Sequence, residues 1–153
     1  MILGIGTDII DIRRIEALLE KSGDKFIART FTQGEQALAR SRANGGLEAA
    51  AYAKRFAAKE ACAKALGTAI REGIAFLDFE ILNDANGKPE LTLHGAAKNI
   101  LAQKTPQGAA AAIHLSLSDE HPYALAYVVI SYLPQTHIAS GQAMADTVRT
   151  QDT

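Results

Sequence analysis

An alanine-rich run reads, from residue 55 to residue 67, Arg55-Phe56-Ala57-Ala58-Lys59-Glu60-Ala61-Cys62-Ala63-Lys64-Ala65-Leu66-Gly67. Alanine is the strongest helix former and glycine often ends a helix, so the run predicts the last three turns of a helix that stops before Gly67. Glu60 and Lys64 are four residues apart and therefore project from one face of that helix. We predict that the helix extends from about Leu47 to Leu66.

A second informative stretch lies near the N-terminus, where residues 4–10 read Gly-Ile-Gly-Thr-Asp-Ile-Ile. The apolar pattern predicts a buried strand over residues 2–10, with one carboxylate, Asp8, among apolar neighbours. A buried carboxylate without a partner is costly, so Asp8 requires a cation, another partner or solvent. Alternatively, Asp8 ends the strand at the surface and caps the following helix.

The rest of the first 133 residues alternates between helix and strand patterns. Thr32 and Glu35 match a capping box that opens a helix. Further helices are predicted at 11–21, 24–30 and about 95–103, and strands at 76–82, 90–93, 110–117 and 123–133, with loops at 83–89 and 118–122. We therefore predict an α+β fold in which a long helix and its neighbours pack on an antiparallel sheet.

Length and composition indicate one domain. The chain has 153 residues and a net charge of −1, so no strong field favours nucleic acid or an anionic membrane. No apolar run approaches the roughly 20 residues that span a bilayer, and no N-terminal signal is visible, so we expect a cytoplasmic protein without membrane contact. Cys62 is the single cysteine and is expected to be a small packing residue. Residues 1–133 form the predicted domain, and residues 134–153 a polar tail.

Asp8, Glu60 and Lys64 together suit phosphoryl chemistry. Mg²⁺ prefers one or two carboxylates completed by water and substrate phosphates, and a lysine can neutralise a phosphate oxygen. Taken alone, Glu60 and Lys64 could form only an exposed helix salt bridge, which contributes little. No Walker loop, dinucleotide fingerprint or zinc-ligand spacing is present, and the four histidines are scattered.

Several ordered motifs carry a family resemblance. They are Gly4 to Ile9 with Arg14-Ile15, Phe31-Thr32 with Glu35, Arg55 to Glu60, Lys64 to Thr68, Gly87-Lys88-Pro89, His114 to Ser118, and Tyr123-Ala124. In this order and spacing, the chain resembles the holo-[acyl-carrier-protein] synthase family of phosphopantetheinyl transferases. The resemblance covers nearly all of residues 2–133. It implies a 4′-phosphopantetheinyl transferase-like fold.

The resemblance implies a reaction and its partners. Members transfer 4′-phosphopantetheine from coenzyme A to a serine of acyl carrier protein and release adenosine 3′,5′-bisphosphate, which supports fatty acid biosynthesis. By correspondence, Asp8 and Glu60 are the expected Mg²⁺ ligands, and Lys64 lies near the pyrophosphate. Glu60 is also the candidate base, directly or through a metal-bound water.

Other matched positions imply binding roles. The stretches expected to line the coenzyme A site are Gly67-Thr68, Lys88-Pro89, and His114 with Ser116. Arg14, with Arg13 beside it, matches a basic first helix that docks the acidic carrier protein, although each could be a solvated charge. The family is typically a homotrimer with sites at subunit interfaces, which would place His114 and Ser116, or Lys88 and Pro89, opposite Asp8 of a neighbour.

The chain departs from many relatives after His114. Its strand continues Ser116-Leu117-Ser118-Asp119, so a histidine at the fourth of these positions is replaced by Asp119, which is expected to cap the loop. No histidine role is carried over to that position. Two other functions stay open: a non-catalytic module that binds carrier protein or coenzyme A, and a structural oligomer whose acids form surface ion pairs.

Overall fold

The computed structural model describes residues 1–71 and 73–134. Besides two short 3₁₀ turns, these residues form nine α-helices and β-strands in chain order: β1 (Ile2–Asp11), α1 (Ile12–Thr30), α2 (Gln33–Arg40), α3 (Glu48–Ala65), β2 (Phe79–Asn83), β3 (Pro89–Leu93), α4 (Gly95–Lys104), β4 (Ala109–Glu120) and β5 (Tyr123–Pro134). This order confirms the predicted α+β fold. Nearly all of the predicted polar tail, residues 135–153, lies outside the described residues. No helix in the described part is long and apolar enough to cross a membrane.

The main sheet has three antiparallel strands in the order β1-β5-β4, and β2 and β3 form a separate hairpin. In register, Asp8 of β1 lies beside Ala126 of β5, which lies beside Leu117 of β4. Since side chains alternate along a strand, these three residues share one face. Helix α3 packs on that face, which we call the inner face.

Two glycines set the distance between β1 and α3. A Cβ atom at Gly6 would collide with the carbonyl oxygen of Ala61, and a Cβ atom at Gly4 with that of Ala65. The strand therefore lies directly against the helix backbone. This close contact brings the side chains that follow Gly6 in β1 within reach of the last turns of α3.

Helix α3 is buried on most of its circumference. Its small residues Ala57, Ala58, Ala61 and Cys62 are completely buried, which explains the alanine-rich sequence. Burial raises the pKa of the Cys62 thiol to about 12, so the thiol stays protonated at neutral pH. The predicted packing role of this cysteine agrees with its position in the core.

Helix α1 bends where the sequence predicts a break, because Ser22 has a non-helical backbone (φ −152°, ψ 37°). Helix α2 begins with the predicted capping box: Thr32 and Glu35 bond reciprocally to each other's backbone N–H.

Two predicted boundaries were wrong. Residues 76–78 form a 3₁₀ turn instead of the start of a strand, because the Asp78 carboxylate accepts a hydrogen bond from Ala75 N at 3.0 Å. The predicted loop at 118–122 shortens to two residues, since β4 stays paired with β5 as far as Glu120.

The outer face of the main sheet is apolar on two strands and polar on the third. Ile5 and Ile9 of β1 are exposed by 57% and 62%, and Tyr127 of β5 by 45%. The neighbouring positions on β4 are His114, Ser116 and Ser118. No described helix covers this face, so a wide apolar surface lies next to a polar edge strand.

Candidate active site

The site begins with a lysine bound to a carboxylate across two elements. Lys64 Nζ donates to Asp8 Oδ1 at 2.7 Å and to the carbonyl oxygen of Thr7 at 3.0 Å. The Lys64 side chain is half-exposed, whereas the Asp8 side chain is 19% exposed. Asp8 thus lies on the inner face against α3 and does not cap a helix; the α1 cap is Asp11, which accepts from Arg13 N.

Glu60 lies one turn before Lys64, on the same side of α3. The pKa of its carboxyl is raised, first by burial and second by the Asp8 carboxylate, while the Lys64 ammonium partly opposes the rise. Among the described ion pairs, Lys64 binds Asp8 and not Glu60. The exposed salt bridge between Glu60 and Lys64, which the sequence left open, therefore does not form.

The two carboxylates fit a cation that is bound together with a substrate. Within residues 1–71 and 73–134, no three His, Cys, Asp or Glu side chains gather as a metal cage. Asp8 and Glu60 are nevertheless close enough for one charge to raise the pKa of the other. Mg²⁺ commonly takes one or two carboxylates, with water and substrate phosphates as its other ligands. Asp8 and Glu60 fit a site of this type, in which water and the substrate complete the coordination.

A cavity of about 390 Å³ follows directly after α3. It is lined by Gly67, Thr68, Ala69, Arg71 and Ile74, and we call it the Gly67 cavity. Gly67 has a left-handed backbone (φ +68°) that ends the helix. The predicted residues Gly67 and Thr68 therefore lie one turn beyond Lys64, at the mouth of a polar space.

A second cavity, of about 290 Å³, lies beside the β2–β3 hairpin, and we call it the hairpin cavity. The predicted residue Pro89 lines it, together with Gly87, whereas Lys88 is exposed on the turn and donates its backbone N–H to Asp84 Oδ1 at 2.9 Å. The same cavity has four polar residues that sequence reasoning missed: Arg42, Lys54, Arg55 and Asn83.

Two of these missed residues have fixed positions. Lys54 Nζ binds Asp119 Oδ1 at 2.6 Å, so Asp119 forms an ion pair across two elements instead of capping a loop. Arg55 Nη1 donates to the carbonyl oxygen of Ala51 at 3.0 Å, and Arg55 Nε to that of Ile81 at 3.2 Å. The signal available in the sequence was the adjacent basic pair at 54–55 within an alanine-rich helix.

His114 and Ser116 lie on the opposite face of the sheet from Asp8. In register, Ser116 is beside Tyr127 and His114 beside Val129, on the outer face. His114 Nε2 lies 3.0 Å from the Ser131 hydroxyl. A single copy of the described chain therefore does not bring these two predicted residues to Asp8 and Glu60.

The two predicted docking arginines differ in their surroundings. Arg13 Nε donates to Asp11 Oδ1 at 2.9 Å, and this carboxylate is the main reason why the pKa of Arg13 is raised. The Arg13 guanidinium in turn lowers the pKa of Asp11 to about 2. Arg14 is exposed, and no described acidic side chain pairs with it. Of the two, Arg14 is the cation available to a partner.

An apolar groove of about 810 Å³ runs along α1, and we call it the α1 groove. Its apolar walls are formed by Leu18, Phe26, Phe56, Ile70, Ile74, Phe76 and Leu77. Lys25 and Arg29 lie at its edge. Ile74 lines both this groove and the Gly67 cavity, so the two spaces adjoin.

Comparison with known proteins gives the family. Residues 4–128 match the model of the 4′-phosphopantetheinyl transferase superfamily. A holo-[acyl-carrier-protein] synthase from Parvibaculum lavamentivorans is 50% identical over 135 residues, which cover 88% of this chain and 99% of the relative. The chain therefore belongs to the 4′-phosphopantetheinyl transferase superfamily.

Solved structures agree with this assignment. A holo-[acyl-carrier-protein] synthase from Neisseria meningitidis superimposes with a TM-score of 0.71 and is 42% identical, over 86% of this chain and 99% of that chain. A holo-(acyl-carrier-protein) synthase from Bacillus anthracis in complex with CoA (3′,5′-ADP) has a TM-score of 0.67 and 39% identity, over 85% of this chain and 96% of that chain. The predicted transferase fold is confirmed.

Proposed function

We propose that this chain transfers 4′-phosphopantetheine from coenzyme A to a serine of apo acyl carrier protein. The observation that carries the proposal is the grouping of Asp8, Glu60 and Lys64 where β1 meets the last turns of α3. The close relatives are named for this activity, and one related structure is a complex with CoA (3′,5′-ADP). The holo acyl carrier protein that this reaction would form supports fatty acid biosynthesis.

The chain's own residues have distinct roles in this reaction. The serine oxygen forms a bond to the phosphorus next to pantetheine, and the bond from that phosphorus to adenosine 3′,5′-bisphosphate breaks. Glu60 receives the serine proton; its raised pKa makes its carboxylate a better proton acceptor near neutral pH. Lys64, which is half-exposed, moves from Asp8 to the pyrophosphate and offsets negative charge there.

Asp8 and Glu60 are the residues that would hold Mg²⁺. When bound, Mg²⁺ neutralises the charge that develops on the pyrophosphate oxygens as the leaving group departs. A cation would offset the repulsion between the two carboxylates, since burial and then the Asp8 carboxylate raise the pKa of Glu60.

The two cavities suit two adjacent parts of coenzyme A, the pyrophosphate and the phosphorylated adenosine. The Gly67 cavity lies beside Lys64 and suits the pyrophosphate. The hairpin cavity contains the cations Arg42, Lys54 and Arg55, with an apolar wall at Pro89, and suits a phosphorylated adenosine. The related Bacillus anthracis synthase, in complex with CoA (3′,5′-ADP), supports coenzyme A as the donor.

The α1 groove suits an amphipathic helix of the carrier protein. Its apolar walls can take the helix's apolar face, while Arg14, Lys25 and Arg29 on α1 attract acidic side chains. Since the groove adjoins the Gly67 cavity through Ile74, a serine at the end of such a helix comes near Lys64.

We also propose that the active unit is a homotrimer in the cytoplasm. The apolar outer face formed by Ile5, Ile9 and Tyr127 needs cover, and a second copy is the occupant. In that assembly, His114 and Ser116 on the neighbouring polar edge of one copy reach the coenzyme A site of the next. This arrangement supplies a role for two residues that lie on the wrong face within one copy.

The first experiment is intact-mass analysis of apo acyl carrier protein after incubation with this protein, coenzyme A and Mg²⁺. We expect a gain of one phosphopantetheine group that EDTA abolishes. A matched variant, Asp8→Asn, keeps the size of the side chain and removes its charge, so it should fold normally and give no gain. A folded wild-type protein that modifies none of several carrier proteins would favour the binding-module alternative.

A further inference from the structure

We infer that Lys59 is a positioning residue for the carrier protein, because its buried ammonium joins the two walls of the α1 groove. The inference rests on the proposed function, in which that groove receives the carrier protein. Lys59 precedes Glu60 in sequence but points to the other side of α3. It is not part of the phosphate chemistry described above.

The Lys59 ammonium is completely enclosed and fully hydrogen-bonded. The side chains of Lys59 and Glu35 both have 0% exposure, and Lys59 Nζ lies 2.7 Å from Glu35 Oε2. Three backbone carbonyl oxygens also lie within hydrogen-bond distance of Nζ, those of Thr30 at 2.8 Å, Phe79 at 2.8 Å and Phe76 at 3.0 Å, so its three hydrogens are shared among four acceptors. Burial lowers the pKa of Lys59, and the Glu35 carboxylate opposes that shift.

Two of these carbonyl groups belong to opposite walls of the groove. Thr30 is the last residue of α1, and Phe76 begins the 3₁₀ turn; both line the groove. Among the described hydrogen bonds, those that connect the end of α1 with this turn pass through Lys59 Nζ. Lys59 is therefore the hydrogen-bonded link between the two walls, in addition to the direct packing of α1 on the turn.

Glu35 serves as the fixed counter-charge. Its Oε1 accepts from Ile81 N at 3.0 Å, and its Oε2 accepts from Thr32 N at 2.8 Å as well as from Lys59. Both oxygens are thus satisfied without water. A buried ion pair of this kind adds little net stability compared with an apolar pair of equal volume, so its value here is the geometry that it imposes.

The test uses the double variant Lys59→Met/Glu35→Gln, which keeps side-chain volume and leaves no unpaired charge. The control is Ile130→Ala, a buried substitution on the inner face of β5, away from the groove. Steady-state transfer is measured in the full-length protein at temperatures where each variant is folded. We expect the KM for carrier protein to rise at least tenfold in the double variant, with the KM for coenzyme A within twofold. The control should change neither by more than twofold.

A further single variant separates the effect of the hydrogen bonds between Lys59 and the two walls from the effect of its ion pair with Glu35. Glu35→Gln leaves Lys59 with its three carbonyl acceptors, so its KM for carrier protein should stay within threefold of wild type even if the protein is less stable. A rise equal to that of the double variant would overturn the inference. So would a parallel rise in both KM values, or the same rise in Ile130→Ala.

Hydrogen exchange of the wild-type protein tests whether Lys59 links the two walls of the α1 groove, and it requires neither a variant nor turnover. Backbone amides of residues 27–31 and 74–79 should have protection factors within tenfold of each other, because the two walls open together. If the walls open independently, with one wall at least a hundredfold less protected, the inference that Lys59 links them would be overturned. Failure of the wild-type protein to modify any carrier protein would instead overturn the proposed function.

Discussion

Lys64 of α3 occupies the position beside Asp8 of β1 that a cation would take, with Nζ 2.7 Å from Oδ1. The same lysine is the one proposed to contact the pyrophosphate. On that proposal, Lys64 would leave Asp8 when substrate and cation bind, and one cation would replace another at Asp8.

Glu60 should destabilise the ligand-free protein at neutral pH. Its pKa is raised in the folded state, so above that pKa the folded protein holds an unfavourable ionised carboxylate. We expect Glu60→Gln to raise the Tm in EDTA at pH 7 to 8. The gain should shrink as the pH falls through the raised pKa and vanish near the ordinary value of 4.5.

Differential scanning calorimetry across this pH range is the measurement, and the exposed Glu20→Gln in α1 is its control. Added Mg²⁺ should raise the Tm of wild type and not of Glu60→Gln. Turnover of Glu60→Gln should fall by roughly 10²- to 10⁴-fold, the usual contribution of a general base. A lower Tm for Glu60→Gln at pH 8 would show that the carboxylate is stabilising.

Sharing of the site between copies predicts complementation. His114→Ala and Asp8→Asn should each be inactive, since each damages a different half of the proposed site. Co-expressed with different tags and purified through both, they should recover a substantial fraction of wild-type turnover, because some sites then have two intact halves. Mixed assemblies with no more activity than the separate variants would place the whole site in one copy.

Removal of the apolar outer surface should separate the copies. Replacing Tyr127 with Lys places a charge in the centre of the outer face. Sedimentation velocity should show wild type as a trimer and Tyr127→Lys as a folded monomer with little activity. An exposed substitution on α1, Glu20→Lys, is the control and should leave the assembly unchanged.

Arg14 and Arg13 should contribute unequally to carrier binding. Arg14→Ala should raise the KM for carrier protein about fivefold at low salt, corresponding to roughly 1 kcal/mol for an exposed charge pair. Arg13→Ala should have a smaller effect, because its guanidinium is held by Asp11. The Arg14 effect should fade as salt increases. Equal effects of both substitutions at all salt concentrations would contradict this difference.

Gly6→Ala should loosen the contact between β1 and α3. The added Cβ atom meets the Ala61 carbonyl oxygen, so we expect a loss of about 1–3 kcal/mol in the free energy of unfolding, measured with urea, and lower turnover. Gly23→Ala is the matched control. It adds the same methyl group to α1 with nothing within 4 Å, and should be neutral or stabilise by roughly 0.4–1 kcal/mol.

Local signals in the sequence predicted the elements well. The end of α3 before Gly67 and the capping box of Thr32 and Glu35 depend on neighbouring residues, and both agree with the structure. The start of β2 was wrong, because the Asp78 side chain bonds to the backbone of Ala75 and holds a turn where apolar alternation suggested a strand.

Contacts between distant segments were harder to predict. The buried pair of Lys59 and Glu35 joins two helices, and only the presence of a lysine in an otherwise buried alanine-rich helix hinted that it needed a partner. The hairpin cavity gathers residues from three parts of the chain, so no single motif contained it. The order of the motifs predicted the grouping of Asp8, Glu60 and Lys64. That His114 lies on the opposite face of the sheet could be seen only from the strand register.

The buried state of Cys62 has a practical consequence for probing this protein in solution. Because its thiol has a pKa of about 12 and is completely enclosed, maleimide reagents at neutral pH should leave the folded chain unlabelled. The chain has no other cysteine. A cysteine engineered at Ala28 beside the α1 groove would therefore take a fluorophore at one defined point in an otherwise native sequence, and would report in real time when a partner arrives there.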